Sequence, residues 1–132
     1  MDKFEEESWS LDINLAKHIL PRLLYLKNWT YLYSHPSELE DSYEWNEILE
    51  ELVWTFTYIS NEYPSIASNY IDDVEFISEE KEDDDNFITS NIKITYTDES
   101  LYNKGRIQDQ INLARCQKGL KLFAEYYMNL WN

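Results

Sequence analysis

Three stretches of the chain repeat their apolar positions with the period of a helix. In the first, Leu11, Leu15, Ile19, Leu23 and Leu26 recur at helical spacing, joined by Ala16, Leu20 and Leu24, and Ser10-Leu11-Asp12 supplies a capping hydroxyl and an acid for the first turn. Pro21 lies in the middle of that pattern, where it removes a backbone donor and crowds the preceding turn, so it predicts a kink or two short helices meeting at Leu20. The second stretch is the clearest: Trp45, Ile48, Leu49, Leu52, Val53, Phe56 and Ile59 form one face, with Asp41 or Ser42 as the cap. The third runs from about Arg106 to Trp131 through Ile107, Ile111, Ala114, Leu122, Phe123, Tyr126, Tyr127 and Leu130. Gly119 interrupts it and marks a close helix crossing or a bend.

Between the second and third stretches the period changes. Ile71-Asp72-Asp73-Val74-Glu75-Phe76-Ile77 alternates imperfectly, while residues 87–96 alternate well, with Ile88, Ile92, Ile94 and Tyr96 on one face. The run from Ser78 to Asn86 reads as an exposed, mobile acidic loop. Together these predict a mainly α fold: a three-helix bundle, helical over 10–62 and 106–131, with a small two-stranded antiparallel insertion in 63–105. A hairpin of that size is marginal alone and has to lean on the helices. At 132 residues the chain fits one domain, 1–132. With 16% aromatic residues it is far from the composition of disordered acidic chains, and with two glycines and three prolines it lacks the turn residues of a β-sandwich.

Charge changes the picture most. The formal net charge is −15, and it is segregated: residues 31–68 carry eight acids and no base, residues 69–99 eleven acids and two bases, and residues 100–132 five bases and two acids. Such a field repels nucleic acid and anionic membranes and steers association with basic proteins. On the second helix Glu40, Glu44, Glu47 and Glu51 share a stripe opposite the apolar face, with no Lys or Arg in 31–68 to relieve them. A solvated face normally mixes signs. The expected interaction residues are therefore Glu38, Glu40, Asp41, Glu44, Glu47 and Glu51 around this helix, Asp72, Asp73 and Glu75 on the first strand, and Glu79, Glu80, Glu82, Asp83, Asp84 and Asp85 in the loop. Trp29, Tyr31, Tyr33, Tyr43 and Tyr63 are candidate anchors, because Tyr and Trp dominate protein hot spots.

Other chemistry finds little support. Cys116 is the single cysteine, in a helical pattern with no adjacent His, so it reads as an inert, partly buried thiol in a reducing compartment. An EF-hand loop needs a glycine that Asp83-Asp84-Asp85-Asn86-Phe87-Ile88 does not supply, and neither His18 nor His35 has the glutamate three residues earlier that a di-iron bundle needs. Nucleophile elbows, phosphate loops and dinucleotide fingerprints are absent. Glu47 and Glu51 would serve as acid and base only if buried in a cleft, and the pattern places them on the wet face. No catalytic residue, metal or cofactor is expected. No stretch is apolar enough to span a membrane and the acidic start lacks a signal peptide's charge, so the cytoplasm is the expected location.

The pieces Trp9-Ser10-Leu11-Asp12, Ile19-Leu20-Pro21-Arg22-Leu23, Glu44-Trp45-Asn46-Glu47-Ile48-Leu49 and Gly119-Leu120-Lys121-Leu122-Phe123-Ala124, continuing to Leu130-Trp131, resemble a family of small accessory proteins encoded by bacteriophages. The resemblance covers both ends and the second helix, about half the chain, and implies a viral origin without supplying a site. Within these pieces Asp12 is expected as a dipole partner, Trp45 in a structural role, and Arg22 as a donor to carbonyls near Pro21 or a partner for an acid. The leading expectation is an acidic inhibitor that blocks a basic, nucleic-acid-binding host protein by nucleic-acid mimicry, acting in the host cytoplasm. The alternatives are a structural or assembly subunit of the particle or replication apparatus, for which a homo-oligomer is possible, and a small carboxylate-based metal protein or enzyme.

Overall fold

The structure is a computed structural model that describes residues 2–33, 42–80 and 88–130. Four helices, α1 (Lys3–Ser8), α2 (Leu11–Tyr33), α3 (Ser42–Ser60) and α4 (Glu99–Tyr126), accompany a two-stranded antiparallel sheet of β1 (Ile71–Glu80) and β2 (Ile88–Tyr96). The chain forms two compact units, Met1–Pro64 with Asn112–Asn132, and Ser65–Ile111.

In the first unit, α1 is an element the periodicity does not announce. Asp2 caps it by accepting from the Phe4 N–H at 3.0 Å, and the helix buries nothing. Asn14 ties it to α2, donating from Nδ2 to the carbonyls of Glu7 and Trp9 at 3.1 and 2.8 Å. Ser10 between them takes a left-handed φ of 50°, not the extended backbone usual for an N-cap. Of the two outcomes expected at Pro21, a kink or two short helices meeting at Leu20, the second does not occur: α2 continues through Pro21 as one helix. Arg22 supports it there, its Nη1 donating to the His18 carbonyl at 2.7 Å beside the missing proline donor.

The core is the apolar face of α3, where Trp45, Leu49, Leu52, Phe56 and Ile59 are buried with Ala16 and Leu23 of α2 and with Cys116 and Tyr126 of α4. Edge-to-face rings join α3 to α4, Trp45 against Tyr126 at 5.6 Å and Phe56 against Phe123 at 5.0 Å. At Gly119 helix α4 lies tight against α3: a Cβ there would lie 2.8 Å from Thr55 Cβ and collide with Thr55 Oγ1. The glycine therefore serves the crossing, and α4 runs through it unbroken. After α3 the chain reverses without glycine. Glu62 takes φ 62°, its N–H donates to the Ile59 carbonyl, and the Tyr63 N–H reaches the Tyr58 carbonyl, which is the bonding pattern of a Schellman cap.

In the second unit, a 3-10 turn (Ala67–Tyr70) leads into β1. Asp109 of α4 caps the turn, accepting from the N–H groups of Ile66 and Ala67 at 2.7 and 3.1 Å and from the Ser65 hydroxyl at 2.8 Å. Gly105 faces the same segment, where a Cβ would meet the Ala67 backbone nitrogen at 2.9 Å. The hairpin is longer than expected, since Ser78, Glu79 and Glu80 belong to β1 and not to a loop. Helix α4 also begins earlier than the apolar period suggested, at Glu99, because Asp98 Oδ1 accepts from the Leu101 N–H at 3.0 Å and fixes the first turn.

Candidate interaction surfaces

The acids of α3 divide into two groups. Glu44 and Glu47, near its start, are exposed. Glu50 and Glu51, one turn on, are paired with cations from other helices, and the pairing of Glu51 corrects the expectation of an unrelieved stripe Glu40, Glu44, Glu47 and Glu51. Lys27 Nζ of α2 lies 3.5 Å from Glu50. Arg115 of α4 donates from Nε and Nη2 to the two oxygens of Glu51 at 3.1 and 2.8 Å, with its guanidinium 4.0 Å above the Trp54 ring. The hydrogen bond from Arg115 holds the Glu51 carboxyl below its ordinary range, and Glu51 in turn raises the guanidinium. The physical reason is simple: charge segregated along the chain is mixed again when helices pack side by side. Glu38, Glu40 and Asp41 lie outside the described residues.

The expected aromatic anchors also divide. Tyr43 is exposed, whereas Tyr63 is a structural tie, its hydroxyl donating to Asp12 Oδ2 at 2.6 Å across the two helix ends. That bond pushes the Tyr63 phenol up to about 12 and holds Asp12 below the usual carboxylate range. Asp12 is thus a hydrogen-bond acceptor as well as a first-turn acid. The side chains of Trp29, Tyr31 and Tyr33, and all of His35, fall outside the description.

The hairpin carries the second acidic group. Asp72, Asp73 and Glu75 are exposed on β1, and Glu75 stands opposite Lys93 in the strand register. Glu79 and Glu80 end the strand opposite Thr89 and Ile88, while Glu82, Asp83, Asp84 and Asp85 lie outside the described residues. The register explains the imperfect alternation of β1. It shifts between Ile71 and Asp73, so Asp72 is an extra residue, and Ile71, Val74 and Phe76 pair with Tyr96, Ile94 and Ile92 on a single apolar face. The base of that face is covered, with the Tyr96 ring 4.4 Å from Tyr102 of α4. Further along the strands Phe76 is 76% exposed and Ile92 59%. Sequence reading found the β2 half of this face and missed the β1 half, which one extra residue in the count would have recovered.

A groove of about 470 Å³ in the first unit is lined by Ile19, Leu23, Leu26, Phe123 and Leu130, with Arg22, Tyr25 and Tyr127 as its polar groups. Its lining contains no carboxylate, histidine or thiol to serve as an acid, base or nucleophile. His18 lies with Glu7, Leu11, Asn14 and Leu15 along a smaller depression of about 380 Å³. Cys116 is buried and burial pushes its thiol up, away from the reactive thiolate. Among the described residues no three His, Cys, Asp or Glu side chains gather as a metal ion would need, and no helix is long and apolar enough to cross a membrane. No family model, no curated protein and no solved structure matches this chain.

Proposed function

We propose that this chain is a bacteriophage-type interaction protein that binds and blocks a basic host protein, one that itself binds nucleic acid, in the host cytoplasm. It acts by binding and not by catalysis, on a helical scaffold in which α2, α3 and the later part of α4 form a three-helix bundle. The observation that carries this reading is that Glu44 and Glu47 of α3 and Asp72, Asp73 and Glu75 of β1 all reach solvent within the chain segment that concentrates the negative charge. Carboxylates held on regular elements repel phosphates and offer a cationic groove the charge it evolved to hold. Arg115 engages Glu51, and the mimicry draws on the exposed carboxylates at the start of α3 and on the hairpin, each as its own patch.

The test is capture of partners from a bacterial lysate at low and high salt. Binding that fades steeply with salt, and that is lost when Glu44, Glu47, Asp72, Asp73 and Glu75 are reversed to Lys with helicity unchanged, is the expected result. Salt-insensitive capture, or capture retained by the reversed variant, overturns the reading. A second reading, an assembly subunit, draws on the exposed apolar residues Ile107, Ile111, Leu113 and Leu120 of α4. A stable homo-oligomer in sedimentation would favour it.

A further inference from the structure

We propose that the free edge of β1 is a docking site for an extended segment of a partner protein in which apolar residues alternate with Lys or Arg. The proposal deepens the basic-partner reading and rests on it, naming one element that makes the contact and the pattern it selects.

Three observations converge on this strand. The sheet has only β1 and β2, so among the described residues the outer edge of β1 has no ladder partner. Strand edges of this kind are templates for an added strand, whose main-chain bonds give affinity and whose alternate side chains give specificity. The two faces of β1 then set the pattern. Val74 and Phe76 stand on one face, the second of them with three quarters of its surface open, and Asp73 and Glu75 stand on the other. An added strand presents its own side chains alternately to the same two faces. Apolar residues beside Val74 and Phe76 extend the apolar face shared with Ile92, and the residues between them fall beside Asp73 and Glu75, where a cation is favoured.

The third observation is local. The N–H of Val74 is engaged by Asp73 Oδ1 at 2.9 Å, so the carboxylate now occupies a donor that an incoming carbonyl would take. Displaced from it, the carboxylate is free to meet the incoming cation. The same pattern argues against a second copy of this chain at the edge. Pairing β1 with itself sets acid against acid, and like charges opposite one another destabilise a ladder.

The probe is a pair of synthetic peptides of identical composition, Lys-Val-Lys-Val-Lys-Val and Lys-Lys-Lys-Val-Val-Val, titrated into the full chain and followed by amide chemical shifts. The alternating peptide is expected to bind about tenfold more tightly, to shift the amides of Val74 and Phe76, and to lose that advantage when its backbone is N-methylated at alternate residues. Phe76→Ser with Ile92→Ser should abolish the discrimination while leaving helicity unchanged. Equal, salt-dependent binding of both peptides overturns the strand-docking proposal and leaves the basic-partner reading standing. Absence of salt-dependent binding by either peptide, together with salt-insensitive capture of lysate proteins, overturns both. Perturbations confined to α3, or a dimer formed through β1 in sedimentation, also overturn the docking proposal.

Discussion

Arg115 and Glu51, 64 residues apart in sequence, are joined by two parallel hydrogen bonds of 3.1 and 2.8 Å. Both side chains keep about two fifths of their surface in water, at 43% and 42% exposure. Solvent-exposed pairs contribute about 0.2–1 kcal/mol, and the stacked guanidinium adds roughly 0.5–1 kcal/mol. Arg115→Ala should therefore lower unfolding stability by about 1 kcal/mol, read from urea denaturation, because these terms do not simply add. Arg115→Lys should recover less than half of that, since an ammonium cannot make the fork or stack as flatly. Glu51 has a depressed folded value, so its contribution is complete above the ordinary glutamate range and fades as pH falls through the folded value. Glu51→Lys should cost stability and leave salt-dependent partner capture unchanged; loss of capture with an intact fold would put Glu51 back on the contact surface.

Gly119→Ala poses a contest between two effects. Helix propensity favours alanine by about 1 kcal/mol. The new methyl would lie 2.8 Å from the Cβ of buried Thr55, an atom fixed to the α3 backbone and unable to rotate away. Overpacking of this kind costs roughly 1–3 kcal/mol. The single variant should be less stable than the parent, and the same change in a Thr55→Gly background, which lacks the obstructing Cβ, should be stabilising. A destabilisation of equal size in both backgrounds would show that Thr55 is not the obstacle.

The Tyr63–Asp12 bond gives a stability difference bounded at both ends of the pH scale. Asp12 is depressed, so its share is present above the unfolded carboxylate value near about 4 and is lost as pH falls through the folded value. Tyr63 is raised to about 12, so its share is present below the unfolded phenol value and is lost as pH rises through about 12. Thermal midpoints of the parent and Tyr63→Phe should differ by a constant amount from about pH 5 to 9 and converge outside that window. Parallel profiles down to acid pH would exclude Asp12 as the acceptor.

Asp109 satisfies two backbone N–H groups and one hydroxyl. Burial alone would raise its carboxyl, but the bonds from Ile66, Ser65 and Ala67 outweigh burial and hold it below the usual range. Asp109→Ala removes bonds whose donors are exposed or half-buried, so that water replaces part of them, and should cost about 0.5–1.5 kcal/mol. Hydrogen exchange at Ile66 and Ala67 should accelerate accordingly, with the α3 amides unaffected. Gly105→Ala should perturb the same segment, because the methyl would meet backbone and not a movable side chain.

The apolar periods of α2, α3 and the later part of α4, the switch to alternation, and Gly119 as a crossing point were all legible in the residues. What escaped were features made by one residue or by packing. Helix α1 depends on the Asp2 cap and buries nothing, so no apolar stripe announces it. The early start of α4 depends on Asp98, a capping signal that the search for apolar periodicity passed over. The local cost of Pro21 is real and predicts a kink or a division into two helices, yet α2 stays one helix, with Ala16 and Leu23 packed in the core on either side of the proline.

By itself the sequence determined the amount of charge, its segregation into the middle of the chain, and which faces of the helices and strands are apolar, because these follow from residue order and the fixed periods of regular structure. Only tertiary structure decided which carboxylates meet a cation or a hydroxyl from elsewhere in the chain. Packing brought Lys27 and Arg115 to Glu50 and Glu51, and Tyr63 to Asp12, while the extra residue at Asp72 gathered Val74 and Phe76 onto one open face. Pairing and register depend on distances between residues far apart along the chain, and no local period encodes them.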